Sequence, residues 1–156
     1  MAVKMGEYLD LRVPSNPKLM RLVRRTVAAA CEVMGFDPRE INSITLAVDE
    51  SCTNIIRHCR GGTYKGDILV RLRMHADRLV ILIKDFGGAI DLTRLEECLE
   101  KRRLEISSGA RTEGVQPGGL GVMLIHSVMD QVRYRTSPRS GTVIRMIKYL
   151  KKAKGE

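Results

Sequence analysis

From Tyr8 to Val13 apolar and polar residues alternate, with Leu9, Leu11 and Val13 on one side and Tyr8, Asp10 and Arg12 on the other. A period of two predicts a first strand, over 7–13, with one buried face. The period changes after Ser15-Asn16-Pro17, an N-cap followed by a proline suited to the first turn of a helix. Leu19, Leu22, Val23, Val27, Ala30, Cys31 and Met34 then recur on one helical face, and Gly35 supplies the stop. Asp37-Pro38 repeats the start signal. A second helix carries Ile41, Ile44, Val48, Cys52, Ile55 and Cys59 on its main stripe. Leu46 and Ile56 widen that stripe, as suits a helix lying on a sheet, and Arg60-Gly61-Gly62 closes it.

Two runs rich in Val, Ile and Leu follow, at 66–75 and 78–86, with Ala76-Asp77 at the reversal. They predict a hairpin whose residues Ile68, Val70, Leu72 and Met74 face inward. Residues 91–105 can form a short amphipathic helix with Leu92, Leu95, Cys98 and Leu99 on one side. The stretch up to 118 then loses all periodicity, which in a compact domain marks a functional lid or a disordered loop; a lid over 91–118 is the reading adopted. Gly119-Leu120-Gly121 opens a third helix to Met129, and strands at 131–136 and 141–150 flank Ser137-Pro138-Arg139-Ser140. This order predicts an α/β (α+β) two-layer sandwich, a mixed and mainly antiparallel sheet with helices on one face.

At 156 residues the chain is expected to be a single domain with a short basic tail over 151–156. No apolar run approaches the roughly 18 residues of a membrane span. The N-terminus has no apolar signal core, so a cytoplasmic protein is expected. Cys31, Cys52, Cys59 and Cys98 form no Cys-x-x-Cys pair, which argues against a structural zinc or a disulfide frame. The net charge of +9 raises the question of nucleic acid. With only two Phe, four Tyr and no Trp, and no basic-aromatic interleaving along the chain, stacking platforms are lacking. An acidic protein partner or a solvated tail is the better use of the charge.

Three stretches carry candidate chemistry. On the second helix Glu50, Asn54 and His58 stand at successive four-residue steps, hence on one surface. An asparagine carbonyl is a suitable oxygen ligand for Mg²⁺, which keeps waters and takes phosphate oxygens besides. A carboxylate one turn earlier can orient a water or accept a hydroxyl proton. A solvated helix face has the same composition. Asp85, at the end of an apolar strand, could accept a hydrogen bond from an exocyclic amine such as that of adenine. Gly87 and Gly88 would let a flat base approach, although a plain strand-to-loop turn also uses Asp and Gly. Gly118-Gly119-Leu120-Gly121 precedes a helix, where free N–H groups and the positive helix end favour phosphate. It is neither a Walker A loop nor a Rossmann turn.

The order and spacing of these three stretches resemble the GHKL ATP-binding superfamily of Bergerat fold. ITLAVDESCTNIIRH looks like its N box, IKDFGGAID like its adenine box and GGLGVMLIHSVMDQV like its second glycine box. Within the superfamily the chain is most similar to the anti-sigma-factor serine kinases of the RsbW and SpoIIAB type, over roughly residues 8–150. The resemblance implies Glu50 as catalytic base and Asn54 as Mg²⁺ ligand. It implies Asp85 as the adenine contact, supported by Gly87 and Ala89. Gly119, Leu120 and Gly121 would hold the phosphates of ATP or ADP, and His58 matches a polar position ending the N box. It also implies a homodimer that sequesters a sigma factor and phosphorylates an STAS-domain anti-anti-sigma protein. Two departures stand out. Ala89 replaces the second glycine of the adenine box, and Gln116-Pro117 stands where such kinases can carry an arginine. A nucleotide-gated binding module with little or no kinase activity is therefore the alternative.

Overall fold

The computed structural model describes residues 7–58, 66–86, 119–137 and 139–151. Local chemistry acts where the sequence places it. The Asn16 side chain accepts the Lys18 N–H at 3.0 Å and starts a single 3-10 turn, Pro17–Leu19, which leads into α1, Met20–Met34. Gly35 ends α1 in the left-handed region at φ 87°, donating its N–H to the Cys31 and Glu32 carbonyls. Asp37 then accepts the N–H groups of Arg39 and Glu40 at 2.9 and 3.0 Å and caps α2, Pro38–His58. Those bonds, chiefly the one from Glu40, hold the Asp37 carboxyl below its ordinary range.

The strands are β1 (Glu7–Pro14), β2 (Asp67–Met74), β3 (Arg78–Asp85), β4 (Gln131–Ser137) and β5 (Gly141–Tyr149), with α3 (Gly119–Val128) before β4. They form one sheet in the order β1-β2-β3-β5-β4. All four pairings are antiparallel, so the sheet expected to be mixed has no parallel pair among the described strands. Strand alternation gives it one packed side. Leu72, Ile81, Ile83, Ile144 and Met146 point to that side and join Val23, Val27, Ile44, Val48, Cys52 and Ile55 of α1 and α2 in one core cluster. Ile125 and Met129 add α3 and its end to the same cluster. No helix among the described residues is long and apolar enough to cross a membrane.

Three apolar residues expected inside are outside. Leu22 and Leu46 are 51% and 52% exposed, because each sits about 100° around its helix from a buried neighbour, Val23 or Ala47. A helix on a sheet can turn only one stripe inward. Leu9 is 44% exposed because β1 is an edge strand that the helical layer covers incompletely. A cavity of about 100 Å³ remains there, lined by Leu9, Leu11, Val23, Val27 and Val70 among others.

Ile81 lies fully buried on a central strand, so Ile81→Ala should cost about 2–5 kcal/mol in denaturant unfolding. Cys31 and Cys52 are buried, and loss of solvation pushes both thiols up to about 12. Neither should be alkylated by iodoacetamide at pH 8 in the native protein, where both are protonated. Peptide mapping should find both modified once the chain is unfolded.

Candidate functional site

The direction of each element follows from its contacts. Lys151, just beyond β5, lies 3.4 Å from Glu40 near the start of α2. Further along, the Ser51 hydroxyl reaches the Met146 sulfur at 3.5 Å and bonds the Ala47 carbonyl at 2.8 Å. Helix from Glu40 to Ser51 and chain from Lys151 back to Met146 each cover about 16 Å. The second half of α2 therefore travels toward the first residues of β5. Helix α3 runs the opposite way. Its end is tied to the far part of β5 by Lys148, which donates to the Val128 carbonyl at 2.7 Å, and by Asp130, whose N–H donates to Ile147 at 2.9 Å. The start of α3, the second half of α2 and the end of β3 beside the start of β5 thus share one end of the molecule.

Glu50 and Gly121 touch there. A Cβ built on Gly121 would collide with the Glu50 carboxylate, its Cδ standing 3.1 Å away and its Cγ 3.6 Å. Glycine is what lets the carboxylate rest in the first turn of α3, where N–H groups lack helical partners and the dipole is positive. The two adjacent acids of α2 have separate surroundings. Asp49 accepts from Arg24 of α1 at 3.0 Å, which ties the two helices together. Glu50 has no ion pair with a described residue, and no described residue hydrogen-bonds the Asn54 amide one turn on. Both are half-buried oxygen donors facing the same end.

Asp85 is fully buried. Its carboxylate accepts the Thr142 N–H at 3.2 Å across the β3–β5 boundary. Burying a carboxylate costs on the order of several kcal/mol unless hydrogen bonds compensate. Besides the Thr142 N–H, a carboxylate can accept a hydrogen bond from an amine such as that of a purine base. Among the other expected site residues, His58 ends α2, while Gly119 and Leu120 begin α3. Gly87, Ala89, the 91–118 lid and Gln116-Pro117 lie outside the described residues.

A family model for the histidine kinase-like ATPase domain matches residues 13–148. Similar curated proteins are named Serine-protein kinase RsbW. That of Halalkalibacterium halodurans is 30% identical, covering 97% of this chain and 89% of the relative. Those of Bacillus subtilis and Bacillus velezensis are each 28% identical, covering 93% and 92% of this chain and 87% and 86% of the relatives. The chain belongs to the histidine kinase-like ATPase family. By family it is a histidine kinase-like ATPase domain.

Within this ATPase domain, sequence reasoning passed over Gly141 and Thr142, taking them for the plain start of a strand. Gly141 has φ 78°, and a Cβ there would strike the Asp85 carboxylate and come within 2.6 Å of its carbonyl oxygen. Thr142 supplies the N–H that Asp85 accepts, and its hydroxyl shares a 3.1 Å hydrogen bond with Thr136 of β4. The hairpin after the helix thus holds the acid at the end of a strand far away in sequence. The available signal was a glycine followed by a hydroxyl residue at the mouth of a central strand.

Gly35 provides a matched control, since it too has positive φ but nothing lies within 4 Å of its would-be Cβ. Gly35→Ala should cost about 1–2 kcal/mol and leave nucleotide affinity unchanged. Gly141→Ala should cost more and weaken nucleotide binding at least tenfold by isothermal titration. Equal effects of the two substitutions on binding would show that Asp85 needs no room from Gly141.

Proposed function

We propose that this protein is an ATP-dependent protein serine kinase that acts as an anti-sigma factor. One observation carries the reading. Glu50, Asn54, the glycine-opened start of α3 and the buried Asp85 converge on one end of the fold, as a nucleotide and its reacting phosphate require. The similarity to proteins named Serine-protein kinase RsbW supports the class of reaction.

In this reading Asp85, braced by Thr142, accepts the exocyclic amine of adenine, and Gly87 with Ala89 gives the base room. Gly119, Leu120 and Gly121 present backbone N–H groups to the phosphates. A serine hydroxyl of the substrate attacks the γ-phosphorus, the bond to the leaving ADP breaks, and Glu50 takes the hydroxyl proton. Glu50 is suited to this because no described cation pairs with it, whereas Asp49 is held by Arg24. Mg²⁺ fits the oxygen donors present, with the Asn54 carbonyl as its protein ligand, and when bound it neutralises charge on the phosphate oxygens. The lid over 91–118 would close on the nucleotide, and His58 would border it from the end of α2.

The partners in this reading are a sigma factor, which the protein sequesters, and an STAS-domain anti-anti-sigma protein, which it phosphorylates. The working unit is a homodimer in the cytoplasm. The departure at Gln116-Pro117, where an arginine is expected, favours one second reading: the same nucleotide site gates partner binding without useful phosphoryl transfer.

Thermal unfolding separates these readings from a scaffold that has lost nucleotide. Mg-ATP or Mg-ADP at about a hundredfold over its dissociation constant should add about 2.7 kcal/mol of stability. Asp85→Asn should abolish the shift, and Asn54→Ala should remove its Mg²⁺ dependence. No shift at millimolar nucleotide sinks both readings. Incubation with ATP and a candidate STAS protein should then give a phosphoserine that mass spectrometry finds, absent with Glu50→Ala. Nucleotide binding without that product leaves the gated module standing.

A further inference from the structure

The side of the sheet turned away from α1 and α2 carries its own pattern. Strand register sets Asp10, Arg71, Leu82, Arg145 and Arg133 in one row across all five strands. The row beside it brings Lys84 next to Val143 and Arg135. Basic residues that look scattered along the chain are thereby gathered on one face.

Among the described residues, acid on that face is concentrated on β1 and β2, with Asp77 beside Arg78 at the turn between β2 and β3. Asp10 accepts two 2.6 Å bonds from Arg71, and Asp67 accepts one of 2.8 Å from Arg12, all on β1 and β2. On β5 and β4 no described carboxylate pairs with Arg133, Arg135 or Arg145. Yet Arg133 and Arg145 stand directly opposite each other, an arrangement that destabilises a sheet. Between the cations lie apolar side chains outside the main core. Val80 and Ile147 are each only 4% exposed, and Leu82 and Val143 are half-buried.

We propose that the β3–β5–β4 part of this open face docks an acidic, amphipathic protein segment, whose carboxylates meet Arg133, Arg135 and Arg145 while its apolar side covers Leu82 and Val143. Charge complementarity and an apolar centre rimmed by arginine are the composition of a protein interface. A second copy of this chain does not fit, since the same face would set arginine against arginine. Nucleic acid fits less well than protein. The aromatic rings on this face are already taken by cations: Arg71 lies 5.2 Å from the Tyr8 ring, Arg12 4.7 Å from Phe86 and Arg78 6.0 Å from Tyr149. Stacked bases need such faces free. The surface is on the opposite side of the sheet from Asp85 and Glu50, and its use does not depend on the kinase reading.

The test is fluorescence polarisation on the full chain with a labelled amphipathic peptide of glutamate and leucine, beside an oligo-dT of equal length. Arg133→Glu with Arg145→Glu should weaken the peptide at least tenfold. Arg21→Glu with Arg25→Glu, an equal charge change on exposed α1 positions, should alter it less than twofold. Arg135→Glu alone, exposed on an edge strand, should weaken the peptide as well and guards against misfolding of the double variant. The stabilisation by Mg-ATP should be the same in all of them. The proposal is overturned if the peptide does not bind, or if both charge reversals act equally. It is also overturned if oligo-dT binds more tightly and is lost with the same substitutions, which would make the face a nucleic-acid surface.

Discussion

Helix α2 can bury only one stripe, and most of the site follows from that limit. With 3.6 residues per turn, turning Ile44, Val48, Ser51, Cys52 and Ile55 into the core leaves Glu50 and Asn54 at the border between packed and open sides. They are near enough to the core to be held, and near enough to its edge to meet a ligand. The contacts of Glu40 with Lys151 and of Ser51 with Met146 then set the direction of the helix, so the border residues arrive at the Asp85 end of the sheet. Were α2 rotated by one residue, Asp49 would take the place of Glu50. Its bond to Arg24 of α1 helps to prevent that rotation.

Two glycines complete the arrangement for different reasons. Gly121 is required by space, because the Glu50 carboxylate occupies the volume a side chain would fill. Gly141 is required by both space and backbone conformation, and it brings the Thr142 N–H against Asp85. Each glycine serves an acid distant from it in the chain. The site is thus an assembly of pairs, one member on an element that the core positions and the other on a turn that adapts to it.

The same sheet has two unlike sides for one reason, the alternation of side chains along a strand. The packed side is apolar and carries the helices. The open side collects arginines from all five strands while the buried Asp85 points away from it. The candidate nucleotide site and the proposed docking face therefore share no residues.

The sequence by itself determined the elements and their order. The period of two in 66–75 and 78–86, the helical stripes of α1 and α2, the caps at Asn16 and Asp37 and the stop at Gly35 are local effects, and each appears where local rules put it. The resemblance of three boxes names Glu50, Asn54 and Asp85 as candidates, and the fold brings the elements that carry them to one end. Tertiary structure alone decided the rest, because it depends on which residues meet across the fold. Periodicity could not tell that Leu9, Leu22 and Leu46 would remain outside, since that is set by how far a neighbouring layer reaches. Nor could it tell Asp49 from Glu50, adjacent acids separated only by Arg24 on another helix and Gly121 on a third. The partnership of Gly141 and Thr142 with Asp85 spans more than fifty residues, and the arginine face exists only once all five strands are in register.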